Sequence, residues 1–205
     1  VNGDPLAGGT SGGLDAFVSF PYNSNGNSVN PNHLAFANEI GATWGVAYQR
    51  TSKTIFTSAV IKRHVGLGDV TGDAVGDIGG IWTIDPATAL VTKWLDVASL
   101  GVNLGTDPHT GLGADWVDTS YDELTFDAVG KRGIGDIDIS EDGKRLYVMN
   151  LNDKELLEID IASKSLLNSY PINNPGCGDM ADVRPWGIEI HHGEIYIGVV
   201  CSGQS

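Results

Sequence analysis

Short apolar runs separated by turn-forming residues recur along the chain. The clearest stretch runs from Gly135 to Ile172. Ile137 and Ile139 alternate with acidic residues, and Glu141-Asp142-Gly143-Lys144 turns the chain into Leu146-Tyr147-Val148-Met149. Asn150 to Asp153 turns it again; Leu156, Leu157 and Ile159 form a third run; Asp160 to Lys164 makes the next turn and Ser165 to Ile172 the fourth run. Alternation at period two, bounded by Asn, Asp and Gly, predicts four antiparallel strands. The same grammar appears in Trp44 to Tyr48, the turn Thr51-Ser52-Lys53 and Thr54 to Val60, and it resumes at Gly80. There Ile84-Asp85-Pro86-Ala87-Thr88 matches Ile159-Asp160-Ile161-Ala162-Ser163. A third copy starts at Trp186-Gly187-Ile188, turns at His191-His192-Gly193 and continues through Val200, and Leu14 to Phe20 is read as a leftover outer strand.

Four antiparallel strands in under forty residues is the size of one propeller blade. The expected fold is therefore all-β: an incomplete β-propeller of about two and a half blades, because a closed one needs roughly four to eight. The blades fall at 44–97, 134–172 and 185–205, the last truncated, with long insertions at 66–79 and 99–132. An open stack leaves unpaired edges, so the remaining blades are expected from a longer parent chain or from another chain.

Composition narrows the partners. Twenty-six acidic against twelve basic residues give a net charge of −14, which argues against nucleic acid. No apolar run reaches the roughly 18 residues that span a bilayer. The opening Val-Asn-Gly-Asp-Pro has no signal-peptide pattern, so a secretion signal is expected to have been removed already. Two cysteines, Cys177 and Cys201, are expected to form a disulfide, as in an exported protein; two buried thiols are the alternative.

The segment from Ile139 to Ile172 resembles the YVTN-type propeller repeat of bacterial and archaeal surface proteins. The wider string Asn32 to Ala37, Trp44 to Tyr48 and Ile61 to Gly68 is similar to the N-terminal propeller of large bacterial surface proteins that carry SdrD B-like repeats. That resemblance implies an exported, multidomain parent displayed at a cell surface. It implies no shared activity.

Three segments carry candidate chemistry. Asp69, Asp73 and Asp77 are four residues apart among glycines, a spacing that offers oxygen ligands to calcium without matching an EF-hand; a solvated acidic loop is the competing reading. Asp115, Trp116, Asp118 and Tyr121 combine aromatic faces with carboxylates, as a carbohydrate platform does; a loop packing its aromatics on a neighbouring blade is the plainer reading. Lys62, Arg63 and His64 form a basic cluster that either binds an anion in a central channel or pairs with local acids. No nucleophile elbow, HExxH or phosphate loop occurs. The resulting expectation is a non-catalytic extracellular scaffold for adhesion to a protein or glycan ligand. Its rival is a calcium-dependent propeller enzyme, a lactonase or glycan-cleaving one, and an architectural spacer is the third reading.

Overall fold

A computed structural model describes residues 2–26 and 30–203. Twelve strands dominate the described residues: β1 Asp15–Ser19, β2 Asn32–Phe36, β3 Thr43–Gln49, β4 Thr54–Ala59, β5 Gly80–Asp85, β6 Leu90–Asp96, β7 Ile134–Ile139, β8 Arg145–Asn150, β9 Glu155–Asp160, β10 Ser165–Pro171, β11 Val183–His191 and β12 Glu194–Cys201. The chain is all-β. One short helix, α1 (Ala37–Ile40), was not foreseen from the sequence; the Glu39 carboxylate accepts from the Phe36 N–H at its start.

The strands form four antiparallel sheets. Two have four strands in sequential order, β3-β4-β5-β6 and β7-β8-β9-β10; two have a single pair, β1-β2 and β11-β12. None closes on itself among the described residues. Positions 204 and 205 of the third expected blade lie outside the described residues.

The sheets stack because each four-stranded sheet is apolar on both faces. Phe56 and Ile81 of one sheet meet Ile137, Leu146, Val148, Leu157 and Ile159 of the next in a shared core. The opposite face of the first sheet buries Trp82 and Ile84 against Leu34, Ala35 and α1 residue Ile40. The opposite face of the second buries Met149 and Leu156 against Ile188 of β11. Alternation along β8 shows the logic: Leu146 and Val148 serve one core, Tyr147 and Met149 the other.

The first strands of three successive sheets converge, with β7 lying beside β3 on one side and β11 on the other. Gly45 permits this approach, since a Cβ there would lie 2.9 Å from the Ile137 backbone nitrogen and 2.6 Å from the Ser58 hydroxyl. The Trp-Gly openings of β3 and β11 meet at the same end, where the Trp44 and Trp186 rings pack edge to face at 5.8 Å. On β7, the Asp136 carboxylate accepts from the Ile188 N–H at 3.1 Å and that of Asp138 from the Ile190 N–H at 2.7 Å. Side-chain bonds thus join two sheets whose own ladders do not meet.

The strand order divides the connections into two classes. The segments 50–53, 86–89, 140–144, 161–164 and 192–193 lie at one end of the stack, and 60–79, 97–133, 151–154 and 172–182 at the other. The repeated Ile-Asp-x-Ala-(Thr/Ser) motif forms equivalent turns at the first end: the Ala89 N–H donates to the Asp85 carbonyl and the Lys164 N–H to that of Asp160, with φ of 55° at both donors. The Cys177–Cys201 disulfide closes at the second end and joins the 172–182 connection to the last residue of β12.

Candidate functional site

The long-loop end holds every residue singled out as a candidate ligand contact. Its largest component is the 97–133 connection, whose stretch from 107 to 126 is pinned through one carboxylate. Asp122 is fully buried. Its carboxylate accepts from the His64 N–H at 2.7 Å, the Thr125 hydroxyl at 2.6 Å and the Thr110 N–H at 3.3 Å. Burial works against its charge, but the bonds from Thr125 and His64 and the nearby His109 outweigh it, so its pKa lies below the ordinary carboxylate value.

The basic cluster sits beneath this insertion. Arg63 donates through Nε to the Asp122 carbonyl, and its guanidinium lies over the Phe126 ring at 5.8 Å. His64 Nδ1 is 2.8 Å from the Ser120 hydroxyl, and the Lys62 carbonyl accepts from His109. His64 has φ of 69°, so the backbone turns there in the left-handed region to aim its N–H at Asp122. Arg63 and His64 are therefore brought against the insertion.

Further along, Asp115 accepts from both the N–H and hydroxyl of Thr10 at 2.8 Å, which hold its pKa below the ordinary value. The Asp118 carboxylate accepts from the Asp115 N–H, and the Asp4 N–H and Ser11 N–H donate to the carbonyls of Gly113 and Ala114. The N-terminal segment is thus a second anchor for the insertion. Its aromatics do not pack down: Trp116 is half-exposed, while Tyr121 is 76% and Phe126 72% exposed. A loop held at both flanks so presents three aromatic side chains to solvent, while the carboxylates of Asp115 and Asp118 are engaged in holding its shape.

The glycine-rich acidic segment is organised by its own backbone. Asp69 accepts from the Gly72 and Ala74 N–H groups and from Lys93 Nζ at 3.2 Å; Asp77 accepts from the Val70 and Thr71 N–H groups, and Asp73 from Val75 N–H. Burial raises the Asp69 pKa, but the two backbone bonds and Lys93 bring it below the ordinary value. In this arrangement the three carboxylates accept from separate amides, and a lysine pairs with one of them. Among the described residues no group of three or more His, Cys, Asp or Glu side chains is gathered for a metal ion.

Sequence reasoning missed two residues that organise this end. In the sequence Asp122 is one of twenty-six acidic residues, and His109 carries no motif. The one signal that could have marked them is their place in the long 99–132 insertion, but burial of a carboxylate is not written in local sequence.

A second cleft, at the tight-turn end, has a volume of about 440 Å³ and is lined by Tyr48, Arg50, Asp138, Glu141, Glu189 and His191. It lies where the three first strands end. Burial raises the Asp138 pKa above the ordinary value, with Glu189 adding repulsion, against the bonds from Ile139 and Ile190.

No helix among the described residues is long and apolar enough to cross a membrane. No family model matches the chain. The bacterial resemblance is corrected by its relatives and by the sheets, which hold two to four strands and, among the described residues, do not close. The residues that carried it encode antiparallel reversals and their Asp-capped turns, which any such sheet requires and which carry no lineage. The relatives are eukaryotic. Colossin-C of Dictyostelium discoideum is 33% identical over 79 residues, 37% of this chain and 8% of its own length. Colossin-A of the same organism is 28% identical over 212 residues, 99% of this chain. Colossin-D is 32% identical over 193 residues, 92% of this chain. The chain, similar to colossin-D and colossin-A over nearly all of its length, spans 20% of the first and 2% of the second.

Proposed function

We propose that this chain is a non-catalytic extracellular binding module within a longer polypeptide, and that its ligand, a protein or a glycan, meets the long-loop end. One observation carries the reading: Trp116, Tyr121 and Phe126 are exposed on an insertion anchored at both flanks. Aromatic side chains held in place offer contact area at low entropic cost, the property that makes them anchors of interfaces and of sugar platforms. The disulfide supports an extracellular setting, because such bonds persist in oxidising compartments. The relatives support a longer polypeptide, since the chain spans 20% of colossin-D and 2% of colossin-A.

The test is binding of the oxidised chain, immobilised through the tight-turn end, to a glycan array and to a panel of extracellular matrix proteins. Saturable binding that falls at least tenfold in the double variant Trp116→Ala, Tyr121→Ala, and that survives Leu90→Ser on β6, is the expected result. Absence of saturable binding on both panels, or equal binding by the loop-end variant, overturns the reading.

A further inference from the structure

His109 is almost completely buried where the insertion meets the 62–64 segment. Its Nδ1 is 2.5 Å from an Asp107 carboxylate oxygen, and its Nε2 is 3.0 Å from the Lys62 carbonyl oxygen and 3.8 Å from an Asp122 carboxylate oxygen. Each ring nitrogen therefore faces an acceptor. A neutral imidazole has one N–H and one lone pair. Whichever tautomer forms, one lone pair points at a carboxylate or carbonyl oxygen. Only the imidazolium, with an N–H on both nitrogens, satisfies the geometry.

We propose that His109 is a protonation-dependent latch, which as imidazolium ties the insertion to the Lys62 carbonyl and holds its near flank against Asp122 of its far flank, and which on losing its proton loosens the insertion carrying Trp116 and Tyr121. The charged groups facing it are Asp107 from its own turn and Asp122 from the far flank of the insertion. Arg63 and His64 lie on the other side of Asp122, bonded to its carbonyl and carboxylate, and Asp4 lines the same cavity of about 350 Å³ as Asp107 and His109. Burial opposes the charged ring, yet the Asp107 bond, the Lys62 carbonyl and the two acids outweigh it and raise its pKa above the ordinary histidine value. A raised pKa means that the stabilisation is fully present below the unfolded value, about 6.5, and is lost as pH rises through the folded value. Asp122, with a lowered pKa, supplies the opposite limit: its contribution is present above about 3.9 and fails as pH falls through its folded value. The latch is closed between those limits, and a rise of pH through the folded His109 value opens it.

As regulation of the proposed binding face, the inference rests on that reading only for its consequence; the latch itself is read without any ligand. An NMR titration of the intact oxidised chain gives the His109 pKa, and hydrogen exchange of the Thr110 and His64 amides, corrected for intrinsic rate, gives opening of the clamp. The expected result is a titration above 6.5, with opening of both amides rising about tenfold in step, as for one lost hydrogen bond of roughly 1.4 kcal/mol. Asp107→Asn moves the step to lower pH, and His109→Gln abolishes it. A His109 that titrates at or below the ordinary value overturns the proposal, as does opening that ignores pH or a step that persists in His109→Gln. Failure of binding with the latch intact overturns the proposed function alone.

Discussion

At one end of the stacked sheets the chain reverses through brief turns whose conformations are set by their own residues; at the other, apart from the 151–154 turn, it makes long excursions held by residues distant in sequence. The Asp85 and Asp160 turns illustrate the first kind. Their carboxylates accept from the Ala87 and Ser163 N–H groups, two and three residues on. The Asp122 clamp illustrates the second, since it gathers an amide 58 positions away. Local turns are replaceable one at a time, whereas the loop end depends on shared anchors and should fail cooperatively. Binding faces are commonly built on such loops because a rigid scaffold fixes their flanks while their tips remain free to vary.

The sharpest way to break this contrast is to remove one carboxylate from each end. Asp122→Ala leaves two amides and a hydroxyl without their acceptor in a buried site and is expected to cost about 4 kcal/mol. Asp85→Ala, which removes one exposed turn bond, is expected to cost about 1 kcal/mol. Urea unfolding of the two variants decides the matter; equal midpoints mean that the insertion is not clamped as described. Reduction of the Cys177–Cys201 bond, which closes a loop with a sequence separation of 24, is expected to cost about 3 kcal/mol. Its thermal shift should be accompanied by loosening of the long-loop end; two free thiols titrated in the oxidised, denatured chain would remove the premise.

A milder test concerns the junction between β7 and β11. Burial, reinforced by Glu189, raises the pKa values of Asp136 and Asp138 despite the amide bonds they accept. The contribution of such groups is fully present below the unfolded value of about 3.9 and is lost as pH rises through the folded values. The Ile188 and Ile190 amides should therefore open several-fold less often near the lower end of that window than at neutral pH, after correction for intrinsic exchange. Opening that is faster in acid refutes the assignment. The smallest effect is expected at the tight turns, where Ala89→Gly and Lys164→Gly relieve the left-handed backbone at φ of 55° and gain about 0.5 kcal/mol each, because relief slightly exceeds the added chain entropy. A loss of stability in both variants shows that their side chains matter more than their backbone.

Much of the sheet structure was legible in the chain. The runs around Leu146, Leu156 and Ser165 form β8, β9 and β10, and the two copies of the Ile-Asp-x-Ala motif adopt matching turns. Such features depend on period-two alternation and on Asp or Asn capping an amide two or three residues away, both of which are local. The disulfide was also foreseen, from two cysteines and no competing partner. The bacterial affiliation failed because it rested on the same turn grammar. The spacing of Asp69, Asp73 and Asp77 did not reveal that the loop's own amides and Lys93 pair with these carboxylates.

By itself the sequence determined the all-β class, the positions of most strands and the turns at one end, since each follows from neighbours within a few residues. Only the tertiary structure decided that Asp122 is buried, that His109 stands between two acceptors, and that Trp116 and Tyr121 face solvent. Those outcomes depend on contacts across 47 to 114 positions of chain, where burial and hydrogen-bond partners are set by how the sheets stack and not by the residues alongside.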